Sequence, residues 1–228
     1  MRAQPRTALV VGASRGLGLG LAAELRRRDW RVIATARDDA SAARLQTRGG
    51  RVEQVDITDD PAVAALRERL DGETLDLLFI NAGISPSGRG DALQVSLDEA
   101  AKVFVTNAIA PARFARRFAN LVRPDTGIVA FMSSGLGSVS DNNHGYSELY
   151  SASKAALNSL SRSFAAGLGR SRVTVLAVAP GWVRTDMGGS GAPLSVEQSV
   201  RGIVDMLETR AGTGRHGFVD YQGREVAW

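Results

Sequence analysis

The 228-residue chain contains no cysteine, which excludes disulfides, thiolate nucleophiles and cysteine-ligated metals. That absence suits a reducing, cytoplasmic setting. There are two histidines. His144 has no partner at triad or metal-ligand spacing, and His216 is expected at the surface, so no metal site is expected. No apolar stretch is long enough to cross a membrane. The apolar run over 8–11, behind the basic residues 1–6, is too short for a signal peptide. Lysine is nearly absent, with Lys102 and Lys154 set against 26 arginines. The net charge of +4 is scattered. Arg113, Arg116 and Arg117 could form a basic stripe, but no aromatic residues interleave with them as a single-strand groove requires, so no nucleic-acid partner is expected.

What is present is an ordinary 44% of hydrophobic residues in a regular alternation. Short apolar runs predict strands over 7–11, 31–36, 51–55, 75–80, 127–132, 172–178 and 217–220. Between them, helices are predicted over 16–29, 39–48, 60–70, 96–122, 149–169 and 195–208. Leu17, Leu21 and Leu25 share one face of the first helix. Asp59-Asp60-Pro61 caps the third, with proline in its first turn. Ser96-Leu97-Asp98-Glu99 is a capping box. Continuous apolar strands separated by helices imply an α/β fold, a parallel sheet covered on both faces. No repeat, low-complexity tract or linker divides the chain, so one domain over 1–228 is expected. The loops rich in glycine and polar residues follow strands one, four, five and six, at the carboxyl ends where such a sheet binds its ligand.

Two stretches carry chemistry. Tyr150 and Lys154, four residues apart, share a helix face. A free phenol has a pKa near 10 and is a poor acid or base at neutral pH; a neighbouring ammonium favours the phenolate and lowers that value. The pair is therefore expected to give and take a proton near working pH. Taken alone, a packed tyrosine and a solvated lysine would also account for it. After strand one, Gly12-Ala13-Ser14-Arg15-Gly16-Leu17-Gly18 permits a tight turn and lets a pyrophosphate approach the backbone at a helix N-terminus. Its G-x-x-x-G-x-G spacing differs from the general dinucleotide fingerprint. Strand two ends in Ala36 and Arg37, where an acidic residue would bind the ribose of NAD. Arg15 and Arg37 can instead clamp a 2′-phosphate, which predicts NADP(H) over NAD(H). Asp38 and Asp39 follow directly and would weaken such a clamp.

Together these residues resemble the short-chain dehydrogenase/reductase family over essentially the whole chain. Gly12, Gly16 and Gly18 match its glycine motif, with Val11 where the family usually has threonine. Asp56 matches the acidic residue after strand three, followed by Ile57. Asn81-Ala82-Gly83 matches the motif after strand four. Asn107, Ser134, Tyr150 and Lys154 match the catalytic tetrad. Pro180-Gly181-Trp182-Val183-Arg184-Thr185 matches the loop over the nicotinamide. The segment 132–143, the step of 16 positions from Ser134 to Tyr150, and the ending 218–228 are similar to the group holding the bacterial C-factor proteins and the sniffer-type carbonyl reductases.

The resemblance implies a Rossmann-type doubly wound sheet of about seven strands in the order 3-2-1-4-5-6-7. It implies hydride exchange between NADP(H) and a small carbonyl or alcohol substrate. Tyr150 gives the proton, Lys154 lowers its pKa and holds the nicotinamide ribose, Ser134 stabilises charge on the substrate oxygen, and Asn107 holds a water leading from Lys154 to solvent. Gly12, Ser14, Arg15, Gly16, Leu17, Gly18, Arg37, Asp56, Ile57, Asn81, Ala82, Gly83, Tyr150, Lys154, Pro180, Gly181, Val183 and Thr185 are the expected cofactor contacts. Ser133 adjoins Ser134 and points to the opposite face. Tyr146 could contact substrate but is expected to pack in its loop. Residues 84–95 and 182–193 should wall the substrate pocket, with Gly188, Gly189 and Gly191 making the second wall a mobile lid; Trp182 and Met187 suggest an apolar or aromatic carbonyl. A homodimer or homotetramer through helices 101–122 and 149–169 is implied, although their apolar faces could equally be intrachain core. The alternative of another class is a cofactor-binding signalling or regulatory protein of C-factor type. A sugar-nucleotide epimerase is not expected, because no room is left for a substrate domain after the last strand.

Overall fold

The computed structural model describes residues 5–88, 91–92, 94–143, 145–169 and 171–228. Seven parallel strands form one sheet in the order β3-β2-β1-β4-β5-β6-β7. In chain order they are β1 Thr7–Val11, β2 Arg31–Ala36, β3 Arg51–Gln54, β4 Leu77–Ile80, β5 Ile128–Met132, β6 Thr174–Ala179 and β7 His216–Asp220. The order reverses between β1 and β4, whose paired registers run side by side from Ala8 and Leu77 to Val11 and Ile80. Chains leaving β1 and β4 diverge to opposite faces, so a crevice must open above their carboxyl ends.

Strand alternation sorts the core into two layers. Ala8 and Val10 face helices α1 (Gly16–Arg27), α2 (Asp39–Gln46) and α7 (Val196–Arg210). Leu9 and Val11 face α3 (Asp60–Arg69), α5 (Ala110–Phe118) and α6 (Glu148–Gly167). In that second layer the Phe114 and Phe118 rings stack 4.1 Å apart, and Phe131 meets Phe164 edge-on at 6.0 Å. Phe118 is fully buried, so Phe118→Ala should destabilise by about 3–5 kcal/mol. The check is a lower urea midpoint at an unchanged slope.

The helix predicted over 96–122 is not uniform. α4 (Leu97–Phe104) passes into a π-helical turn, Val105–Ile109, before α5 begins. The π turn carries Asn107. Ser96 caps α4 as expected, but the Glu99 carboxylate accepts from Ser87 N and Oγ and does not close the expected box; the full capping box forms instead at Ser195 with Gln198, where no cap was expected. His216 departs from its surface assignment. It is half-buried at the start of β7, stacked on Trp228 at 4.9 Å and 3.2 Å from Ser161 Oγ. His144 lies outside the described residues. Among them, no helix is long and apolar enough to cross a membrane.

Candidate active site

The crevice above β1 and β4 is a cleft of about 1400 Å³, and most of the sequence-predicted site residues line it. Its floor is the glycine turn. Gly12 has φ +83°, and a Cβ there would lie 2.9 Å from Ala82 backbone atoms. A Cβ on Gly18 would lie 2.1 Å from the Gly12 carbonyl oxygen. Only glycine permits this approach of turn, helix and β4 loop. The Asn81 side-chain amide donates to Gly12 O at 2.7 Å, and the Asn81 and Ala82 amides both donate to Val11 O. Thr35 on β2 accepts from Gly12 N at 3.0 Å. This hydroxyl braces the turn from the neighbouring strand, and its signal is a lone polar residue inside an apolar strand. The N-terminus of α1 has no side-chain cap and no acidic residue in its first turn, so its free amides and dipole can receive an anionic diphosphate.

At the end of β2 the cleft gathers cations. Arg15, Arg37 and Arg44 all line it. Arg44, one turn into α2, escaped the sequence reading; its guanidinium donates to Ser41 Oγ at 2.9 Å. Asp38 lines the cleft beside this cluster, and Arg44 and Arg37 both act on its charge. Its carboxylate caps α2, accepting from Ser41 N at 2.9 Å and Ser41 Oγ at 3.1 Å, and the Ser41 amide holds it below the usual carboxylate range. Arg15 pairs with Asp186 across the cleft mouth at 3.0 Å. Asp56 accepts from Thr58 N and Oγ1 and lines the cleft with Ile57.

The proton-handling end lies between β5 and α6. Ser134 follows β5 and caps a short 3-10 turn, Gly135–Gly137, accepting from Leu136 N at 3.2 Å. Tyr150 and Lys154 lie on the first turns of α6, where the Ser134 hydroxyl faces the phenol and pulls its pKa down. Lys154 is buried and donates from Nζ to Met132 O at 2.8 Å, with Nζ 5.5 Å from the Tyr150 ring centroid. Asn107 sits beneath them. Its Oδ1 accepts from Ile84 N, and its Nδ2 donates to Ile84 O and to Ser153 Oγ. The side chain thus ties the loop after β4 to α6, and the π turn around it is a geometry frequent at functional sites.

The expected lowering of the phenol pKa is corrected. Burial pushes Tyr150 up to about 12, against the downward pull of Ser134. Burial likewise lowers Lys154 to about 8. Removal from water penalises the phenolate and the ammonium alike, an effect that spacing along a helix does not reveal. It has a stability consequence. Because the folded Lys154 pKa lies below its usual 10.5, the unfolded chain binds more protons between those values. Stability therefore rises with pH across this window. Relative to Lys154→Met, the wild type should gain up to about 3 kcal/mol from pH 7.5 to 10.5. Paired urea melts read this difference, and a constant gap between the two proteins would refute it.

The loop after β6 closes the cleft. Gly181 has φ +80°. The Trp182 indole donates to Gly188 O at 2.8 Å, and Arg184 donates to Ala192 O and Pro193 O. Thr185 accepts from Gly188 N at 3.1 Å, and its methyl lies 3.4 Å from where a Gly16 Cβ would be. This expected lid is thus bonded within itself. Trp182 and Met187 are exposed and line the cleft. So does Tyr146, 57% exposed, which favours its alternative assignment to the substrate side of the cleft. Of the expected wall over 84–95, Ile84 and Ser85 line the cleft, and residues 89, 90 and 93 lie outside the described residues. Leu136, Tyr221 and Val226 also line it, as do Lys102, Val105 and Thr106 from α4 and the π turn; no periodic pattern marks them.

Over residues 12–217 the chain matches a family model described as Enoyl-(Acyl carrier protein) reductase. It is 42% identical to a short-chain dehydrogenase/reductase from Burkholderia multivorans solved with bound NADP, with a TM-score of 0.93 over 98% of this chain and 100% of that one. A carbonyl reductase from Pseudomonas aeruginosa PAO1 in complex with NADP is 38% identical, with a TM-score of 0.89 over 99% of this chain and 100% of that one. The C-signal protein of Myxococcus xanthus is 36% identical over 156 residues, 68% of this chain and 93% of that protein. With the reversed strand order, the glycine turn at the crevice and the serine, tyrosine and lysine facing it, these matches show that the chain belongs to the short-chain dehydrogenase/reductase family of oxidoreductases.

Proposed function

We propose that the protein is an NADP(H)-dependent carbonyl reductase or alcohol dehydrogenase whose 228 residues work as one domain. The observation that carries this reading is the meeting of Ser134, Tyr150 and Lys154 at one end of a single cleft whose other end is the glycine turn and an arginine cluster. The residues fit a phosphorylated dinucleotide. The uncapped α1 terminus and the close-packed Gly12 and Gly18 suit a diphosphate, and Arg15, Arg37 and Arg44 suit a further phosphate. Asp56 and Ile57 suit the adenosine end. Asn81, Ala82, Gly83, Pro180, Gly181, Val183 and Thr185 line the path to Tyr150. NADP(H), when bound, supplies or accepts the hydride.

The chain's own residues manage the rest. Tyr150, protonated at neutral pH, donates its proton to the carbonyl oxygen. Ser134 hydrogen-bonds the same oxygen and stabilises charge as it develops. Lys154, still mostly charged at neutral pH, favours the phenolate left behind. Asn107 fixes Ile84 and Ser153 so that the floor under this pair stays in place. Trp182, Met187 and Tyr146 favour an apolar or aromatic carbonyl. Bound complexes of the Burkholderia and Pseudomonas proteins with NADP support the cofactor choice.

The test is a fluorescence titration with NADPH and NADH side by side, followed by turnover of aliphatic and aromatic ketones, aldehydes and quinones. Tight NADPH binding with turnover supports the reading; no binding of either cofactor ends it. The likeness to C-signal keeps a second reading, a cofactor-binding regulatory protein, for which NADPH would bind and no carbonyl would turn over. The exposed apolar residues Leu97 and Ile109 on α4 and the π turn favour a homodimer across this face. Sedimentation of Leu97→Arg/Ile109→Arg should then show a monomer.

A further inference from the structure

Ser133 is the residue that a catalytic serine motif leaves unexplained. It is 1% exposed, and its hydroxyl donates to Asn158 Oδ1 at 2.6 Å. Asn158 is 3% exposed and lies one helical turn beyond Lys154 on α6. Its Nδ2 donates to Gly137 O at 3.1 Å. The two bonds therefore grip both ends of the short turn that presents Ser134. Gly137 allows the grip: a Cβ there would lie 2.9 Å from Lys154 Cβ and 3.1 Å from Asn158 Nδ2. Lys154 Nζ adds a third tie, to Met132 O. The segment 132–137 is thus bolted at three points to the helix that carries Tyr150.

Buried polar pairs are retained only when both partners are satisfied, and apolar residues would pack here without that demand. A pair in this position sets a distance. Proton transfer requires heavy atoms about 2.6–3.2 Å apart, and a misplacement of about 1 Å can cost about a hundredfold in rate. Resting on the oxidoreductase reading above, we propose that Asn158 is a positioning residue of the active site. Through Ser133 and the Gly137 carbonyl it holds the turn that presents Ser134 in place beside Tyr150. Asn158 touches no reacting atom, and it acts through the turn.

The experiment compares Asn158→Leu, Ser133→Ala and Ser133→Thr with wild type and Tyr150→Phe. It reads kcat for carbonyl reduction, NADPH Kd by fluorescence, melting temperature, and the pH profile of alcohol oxidation. Asn158→Leu and Ser133→Ala should lower kcat by about 10–100-fold with NADPH Kd within about twofold. Ser133→Thr keeps the hydroxyl and should recover most of the rate. Alcohol oxidation requires the phenolate. The titratable neighbour facing Tyr150 is Lys154, whose ammonium is shifted by burial alone, and the Ser134 hydroxyl is the group that pulls the phenol pKa down. Loosening Ser134 should therefore move the rising limb of that profile to higher pH. A merely structural role would lower the melting temperature without moving the limb. Should Asn158→Leu fail to fold, Ser133→Ala against Ser133→Thr decides. Folded variants with wild-type kcat and an unmoved limb, beside an inactive Tyr150→Phe, overturn the positioning role and leave the oxidoreductase reading standing. A wild type inactive on every carbonyl overturns both.

Discussion

Tyr150→Phe should lower kcat for carbonyl reduction by about 10²–10⁴-fold, the range spanned by positioned general acids. The substitution removes one oxygen and keeps the ring, so packing at the head of α6 and the contact with Lys154 survive. Ser134 loses its phenol partner but faces the open cleft, where water can replace it. NADPH affinity should change by less than about tenfold, the worth of one hydrogen bond. The pH dependence separates this from a general loss of structure. With the phenol at about 12 and Lys154 at about 8, the acid form of Tyr150 is present throughout the neutral range. Wild-type reduction should then be flat below pH 8 and fall above it as Lys154 loses its charge. The residual rate of Tyr150→Phe should show no such fall. A variant keeping a tenth or more of the wild-type rate would show that the proton comes from elsewhere, and the signalling alternative would gain weight.

The fold and the axis of the site were legible because they rest on local rules. Strand alternation, the glycine turn after β1 and the four-residue spacing of Tyr150 and Lys154 each predict a geometry from neighbouring residues alone. What was not legible depends on burial and on distant segments. The π turn at Val105–Ile109 leaves the apolar period of its helix almost undisturbed, so the sequence reads as one helix. Thr35, Arg44 and Val226 reach the cleft or its floor from β2, α2 and the last residues, and no motif of their own marks them. The direction of the Tyr150 pKa was misread for the same reason. Four residues along a helix state that a charge is near, whereas the cost of burying that charge depends on β5 and the loops that close over it. Asp38 adds a role the sequence reading did not assign, its carboxylate capping α2 through Ser41 while it lines the cleft.

The arginine cluster leads to the second large effect. Arg37→Ala/Arg44→Ala should weaken NADPH binding by about 10²–10³-fold, each lost bond to a doubly charged phosphate being worth about 1.5–3 kcal/mol with incomplete additivity. NADH, lacking that phosphate, should bind within about twofold of wild type. Arg15 is a different case. Its guanidinium, three-quarters exposed, already pairs with Asp186. An exposed pair contributes about 0–1 kcal/mol, so Asp186→Ala should free Arg15 and tighten NADPH by no more than about fivefold. The affinity of the wild type should fall steeply with added salt, and that of the double variant should fall less, because fewer charges are neutralised on binding. Titrations of both cofactors at two salt concentrations distinguish the possibilities. Equal losses for NADPH and NADH would mean that Arg37 and Arg44 meet the diphosphate shared by both cofactors. An unchanged NADPH affinity would mean that α2 contributes only shape to the cleft and that Arg15 alone discriminates between them.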